Sequence, residues 1–222
     1  MLTEQAQPRR KVEITTTMQA VRARVGRCQV SVLRIADVDP QGLIPAYLKL
    51  RKQIFVDHLG WNIPHDTVFE AEQYDRPESV YIVVHDGPYV LAGARLLNTT
   101  STDPSGQFSY MIRDAYLRRL PGLPQEICDS EPSVDAKTWE LTRLVTFPGI
   151  QLSERILRAT NAFLATVGAE QCLFLGPPAF MRMASRMGYT SRKLGAIQHN
   201  RDGSFLAFST NILAPSAKTE TQ

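Results

Sequence analysis

Apolar and polar positions recur in two rhythms along the chain, near 3.6 residues in some stretches and near 2 in others, and each change marks an element. A polar segment, residues 1–26 with Thr15 to Thr17 in a row, precedes a first strand-like run from Cys28 to Ile35 and reads as a flexible N-terminal extension. Behind Pro40, Gln41 and Gly42, the positions Leu43, Tyr47, Leu50, Ile54 and Phe55 return near the helical period until Gly60, which predicts a helix over 41–59. Val80 to His85, rich in β-branched and aromatic residues, and the largely apolar run Tyr89 to Asn98 flank Asp86-Gly87-Pro88, so they predict an antiparallel hairpin. A short helix around Tyr110 to Leu120 and a loop with Pro121, Pro124 and Pro132 lead into a strand from Trp139 to Phe147. Beyond it the pattern gives helix 151–167, strand 171–175, helix 178–187, and strands near 190–197 and 204–210 joined by Asn200 to Gly203. Strands alternating with helices, with a hairpin at each end, indicate one α/β domain of the α+β sandwich kind over 27–213, followed by a disordered tail at 214–222.

Composition narrows the class. With 43% hydrophobic and 21% charged residues in 222, the chain can bury a full core alone, and runs such as Tyr81 to Val84 fall far short of the roughly 20 residues that cross a bilayer. Arg9, Arg10 and Lys11 are followed by no apolar run, so a cytoplasmic location without membrane contact is expected. Cys28, Cys128 and Cys172 are too scattered for a disulfide framework or a metal clip, and His58 and His65 lack further ligands at suitable spacing, so no metal is expected. A net charge of +3 is too small to suggest a nucleic-acid binder, yet residues 151–201 hold seven basic side chains against Glu154 and Glu170. Arg155 and Arg158, three apart on one helix, present a face for an acidic partner.

The chemistry-bearing stretch runs from Arg51 to Asp75. Arg51 and Phe55 are four apart on the predicted helix and share a face, Trp61 follows the glycine that ends it, and Glu70, Glu72 and Asp75 crowd the next loop. Arginine clamps carboxylates, tryptophan stacks on a base or attracts a cation, and acids hold a sulfonium or amine. Downstream lie Gly93-Ala94-Arg95-Leu96-Leu97 and Trp139-Glu140-Leu141-Thr142-Arg143, both in strands. Glu140 and Arg143 are three apart and meet in one cavity only across a bulge. A second reading is that Arg95 and Arg143 simply pair with Glu70, Glu72 and Asp75 in buried salt bridges.

These residues resemble the LuxI-type autoinducer synthases, the acyl-homoserine lactone synthases. The family pattern of Arg, Phe and Trp, then Glu-x-Asp-x-x-Asp, an Arg in a Gly-x-Arg-Leu strand and a Trp-Glu-Leu-Ser-Arg strand is met by Arg51, Phe55, Trp61, Glu70, Asp75, Arg95, Glu140 and Arg143. Glu72 stands for the middle Asp and Thr142 for Ser, each keeping the functional group, and Tyr116 sits where phenylalanine is usual. The resemblance spans roughly 28–210, is specific over 51–143, and omits the extension. It implies a fold similar to the GNAT N-acetyltransferases, with a mixed central sheet flanked by helices. It also implies acyl transfer from acyl carrier protein, or acyl-CoA, to S-adenosylmethionine as substrate, then lactonisation to a quorum-sensing signal, with no cofactor.

Within that implied chemistry Glu140 is the candidate base, with Arg143, Glu70, Asp75 and Arg95 catalytic. Arg51, Phe55, Trp61, Glu72 and Thr142 bind substrate; Phe174, Leu175, Gly176 and Met181 line the acyl pocket; Arg155 and Arg158 dock the carrier protein. Gly176, aligned where some relatives carry a threonine associated with 3-oxo chains, disfavours a 3-oxo product. An acyl-CoA-dependent GNAT-type N-acyltransferase is the alternative, but Leu144 to Ser153 lacks that family's glycine-rich pyrophosphate loop. A non-catalytic ligand sensor would leave Glu140 without a purpose.

Overall fold

The computed structural model describes residues 22–147, 151–200 and 203–214, so the expected flexible extension, apart from its last residues, and all but the start of the expected tail lie outside the described residues. Strand β1 (Gln29–Arg34) leads to helix α1 (Leu43–Arg51), which continues directly into a π-helical segment, Lys52–His58. Helix α1 begins two residues later than the apolar period predicts because the Asp39 carboxylate accepts the Leu43 and Ile44 amides, at 2.8 and 2.9 Å, across a left-handed Gly42. Then come β2 (Val80–Asp86), β3 (Tyr89–Asn98), the short α2 (Met111–Tyr116), a 3₁₀ turn at Gln125–Ile127 and β4 (Thr138–Thr146). The last third holds α3 (Ser153–Thr166), β5 (Gln171–Gly176), α4 (Pro178–Arg186), β6 (Ser191–Lys193), β7 (Gln198–Asn200) and β8 (Gly203–Asn211).

The strands form a mixed sheet in the order β1-β2-β3-β4-β5-β8-β6, with β7 pairing the other end of β8. Every pairing is antiparallel except β4 with β5, whose ladder runs from Thr138↔Gln171 to Leu141↔Phe174 and stops there. Since β4 continues to Thr146 and β5 to Gly176, the two strands part and leave a slot in the middle of the sheet.

Strand alternation sends β2 side chains into two cores. Val80, Ile82 and Val84 pack with Ile156, Leu157 and Leu164 of α3, whereas Tyr81 and Val83 pack with Tyr47, Leu50 and Phe55 on the α1 face. Burial on both faces explains why β2 reads as a continuous apolar run. A third cluster gathers Tyr110 and Ile112 with Tyr74, Ile127 and Leu173 beside α2. The run predicted as one strand over 190–197 is broken into β6 and β7. Gly195 lies against the Ile127 carbonyl, where a Cβ would come within 2.5 Å, and Leu194 accepts the Asp129 amide at 2.8 Å. Docking of the 3₁₀ loop therefore bends that strand. Among the described residues no helix is long and apolar enough to cross a membrane.

Candidate active site

Four segments bring charge to the α1 face of the sheet: Arg51 ends α1, the loop after the π-helix carries Glu70, Glu72 and Asp75, β3 supplies Arg95 and β4 supplies Arg143. The bulge that Glu140 and Arg143 require is present. Gly93 pairs with Val145 and Arg95 with Thr142, so three steps along β4 oppose two along β3. Arg143 occupies the left-handed region at φ 53°, a conformation that costs a non-glycine residue about 1–2 kcal/mol. In return Thr142 and Arg143 both reach the same face.

The six charges close into an alternating ring. Arg51 binds Glu70 through Nε and grips Asp75 bidentately at 2.7 and 3.0 Å. Glu70 passes on to Arg143 Nε at 3.2 Å, and Arg143 Nη2 donates to Glu72 at 2.6 Å. The other oxygen of Glu72 accepts from Arg95 Nη2 at 2.7 Å, and Arg95 Nη1 lies 3.1 Å from Asp75 in an ion pair too bent to be a hydrogen bond. Three cations thus face three anions with no net charge. The reading that these groups pair with one another describes the structure. Glu72 bridges both Arg95 and Arg143, which its extra methylene helps it to span. Thr142 accepts a hydrogen bond from Arg95 at 3.0 Å and braces it rather than facing a cavity. Although burial alone would raise it, Arg95 and Arg51 hold the Asp75 carboxyl well below the ordinary carboxylate range.

Arg143 is the open member of the ring, its side chain 10% exposed while those of Arg51, Glu70 and Arg95 are fully buried. Among the described residues its Nη1 meets only the Met111 sulfur, at 4.0 Å. Beside it Phe55 and Trp61 stack in parallel with centroids 4.8 Å apart, and the guanidinium carbon lies 6.0 Å from the Phe55 ring. The π-helical segment that carries Phe55 is a widened turn of the kind found at functional sites.

No family model matches the chain. An acyl-homoserine-lactone synthase of Ralstonia solanacearum is 30% identical over 171 residues, spanning 72% of this chain and 77% of the relative. The chain belongs to the acyl-homoserine-lactone synthase family. It is therefore an acyltransferase, and solved structures agree with it in fold. TofI, crystallised with an inhibitor and MTA, matches at 24% identity and TM-score 0.66 over 83% of this chain and 91% of its own. BjaI, a CoA-dependent synthase solved with SAM and isopentyl-CoA, matches at 17% identity and TM-score 0.67 over 84% of each chain. A putative N-acetyltransferase from Lactobacillus plantarum, at 15% identity and TM-score 0.52 over 84% of this chain and 99% of its own, extends the likeness to the acetyltransferase fold.

In this acyltransferase Glu140 is fully buried, and its two oxygens accept the Met111 and Ile112 amides at 3.1 and 2.7 Å, at the start of α2. Burial raises its carboxyl to about 7 against the lowering pull of those amides and of Arg95. The four acyl-pocket residues do not share one cavity. Phe174 borders a cavity of about 10 Å³ between α3, α4 and the sheet, together with Leu157, Leu164, Ala184 and Tyr189. Leu175 packs on the opposite face beside α2, Met181 lines an outer groove, and a Cβ on Gly176 would touch Phe180 at 3.6 Å. Strand alternation separates Phe174 from Leu175.

The proposed docking pair is likewise divided. Arg155 is half-buried with its guanidinium on the Cys28 carbonyl, while Arg158 is exposed, and α3 lies across the sheet from the ion-pair ring. Exposed Arg182, Arg186 and Lys193 instead rim a groove of about 540 Å³ floored by Met181, Ile197 and Leu206. Three tyrosines escaped the sequence reading. Tyr81 donates to Asp75 at 3.1 Å, Tyr47 donates to the Arg143 carbonyl at 2.7 Å, and the Tyr74 ring lies 5.5 Å from the Arg95 guanidinium carbon. Burial pushes the hydroxyls of Tyr47 and Tyr81 up, which keeps both as donors. Their signal was a tyrosine at an apolar position, since a buried phenol needs a hydrogen-bond partner.

Proposed function

We propose that the chain acylates the α-amine of S-adenosylmethionine from a thioester donor and then closes the product to an acyl-homoserine lactone. The observation that carries this is the open edge of Arg143 beside the stacked Phe55 and Trp61, a cation next to aromatic surface. That edge suits a carboxylate on one side and an adenine or sulfonium on the other. The rest of the ring holds Arg143 from behind, so Arg51, Arg95, Glu70, Glu72 and Asp75 act mainly by orienting it. BjaI in complex with SAM and TofI in complex with MTA support the same substrate here.

In the first step the amine loses its proton and attacks the thioester carbonyl; the carbon–sulfur bond breaks and the thiol leaves. Glu140 takes the proton, directly or through water, because each of its oxygens keeps a lone pair beyond the one given to a backbone amide. In the second step the substrate carboxylate attacks the carbon beside the sulfonium, and methylthioadenosine leaves with the bonding pair. That step needs orientation above all, which a clamp on the carboxylate supplies.

The slot between β4 and β5 offers unpaired main-chain groups to an extended, amide-bearing arm such as phosphopantetheine. The acyl tail is then directed to the Phe174 face of the sheet, where the cavity of about 10 Å³ has to widen to receive it. The groove rimmed by Arg182, Arg186 and Lys193 receives an acidic acyl carrier protein, in place of the pair Arg155 and Arg158. Purified chain incubated with S-adenosylmethionine and either acyl carrier protein or acyl-CoA donors, with products identified by mass spectrometry, tests this reading. Acyl-homoserine lactone from the carrier protein is the expected result. An acylated amine other than S-adenosylmethionine would overturn the substrate, and equal turnover with acyl-CoA would overturn the donor.

A further inference from the structure

The Arg143 bulge has a clasp that lies outside the ion-pair ring. A bulge interrupts the ladder and leaves its extra residue poorly held, and here that residue is also in a strained conformation. Tyr47, fully buried on α1, reaches across the sheet and donates its hydroxyl to the Arg143 carbonyl at 2.7 Å. Its ring lies flat over β3 at Gly93, where a Cβ would come within 2.5 and 2.7 Å of two ring carbons. Any other residue at 93 would push the phenol off the bulge. The ring is held at its edge by Tyr81, with centroids 5.8 Å apart, and lies 5.4 Å from the guanidinium carbon of Arg51, one helical turn further along α1.

From this geometry we infer that Tyr47, seated on Gly93, is a positioning residue that sets the direction of the Arg143 guanidinium. The inference rests on the proposed role of Arg143 as carboxylate clamp. One side chain touches the only left-handed residue of β4 and neighbours the helix-borne member of the ring, so it fixes the two arginines relative to each other. A phenylalanine at 47 would keep the ring and its packing and lose only the clasp.

Tyr47→Phe is therefore the informative variant. It should raise KM for S-adenosylmethionine on the order of tenfold, as expected when one charge-assisted contact loses its alignment, while KM for the acyl donor stays unchanged. A purely structural defect lowers the amount of folded enzyme and does not single out one substrate. The second readout needs no substrate: in ¹⁵N-labelled protein the Arg143 Nε–H resonance, assigned by its loss in Arg143→Lys, should shift or broaden in Tyr47→Phe while that of Arg51 stays in place. Gly93→Ala, which leaves the hydroxyl intact but displaces the ring, should move the same resonance. If the resonance and the KM stay at wild-type values in Tyr47→Phe, the positioning role is wrong, whatever happens to the melting temperature. If wild-type protein fails to acylate S-adenosylmethionine, the proposed function falls, and the resonance alone still decides whether Tyr47 orients Arg143.

Discussion

Glu140 shows how a single buried group can serve both folding and chemistry. Its carboxyl is raised to about 7, chiefly by burial, so the folded state holds a proton more tightly than the unfolded chain does. The stability it contributes is present below the ordinary glutamate value and is lost as pH rises through about 7. A base, by contrast, works deprotonated. The rate should therefore rise with pH through about 7, and Glu140→Gln should remove that inflection, lower turnover by on the order of 10² to 10⁴, and flatten the fall in melting temperature over the same range. A pH–rate profile and thermal melts at several pH values check both signs. The identities of the ring members were legible in the sequence, because Arg51, Glu70, Asp75, Arg95 and Arg143 carry their chemistry in their side chains at distinctive intervals. Who bonds whom was not. That Glu72 joins Arg95 to Arg143 follows from where two strands and a loop meet, which no spacing along one element encodes.

At the level of elements, period and turn chemistry located nearly every strand and helix, and errors arose where a distant segment overrode a local pattern. The Asp39 carboxylate shortened α1, and the 3₁₀ loop split the strand over 190–197. The acyl pocket was misjudged for a related reason, since residues adjacent in β5 face opposite cores. Packing between α4 and the sheet now supplies a sharper expectation. Phe180 on α4 closes an aromatic cluster with Phe174 and Phe208, at centroid distances of 5.5 and 5.9 Å, and the other side of Phe174 borders the cavity of about 10 Å³, room for about one water. Phe180→Ala should open this space, cost about 1–3 kcal/mol because the ring is only partly buried, and shift the product towards longer acyl chains. Mass spectrometry of the lactones, with a denaturant melt as control, checks the shift.

Over the whole molecule, the basic bias of residues 151–201 was visible from composition, but the surface that gathers it was not. The groove draws Arg182 and Arg186 from α4 and Lys193 from β6, segments whose juxtaposition depends on β8 lying between β5 and β6. Rim charges act mainly on encounter rate, so Arg182→Glu with Arg186→Glu should raise KM for acyl carrier protein severalfold and blunt the response to salt, leaving KM for S-adenosylmethionine unchanged. Stopped-flow association at two ionic strengths checks the first effect directly. The closed ring has a further consequence, in the order in which the protein comes into being. Its bonds join residues 19 to 24 apart within the first half of the chain and 71 to 73 apart across to β4, so the last link cannot form until β4 has emerged and paired. A nascent chain that ends before Arg143 holds two cations against three anions in a half-built interior. Such a truncated chain carries an uncompensated charge that resists burial, so this interior closes only once the sheet has been completed through β4.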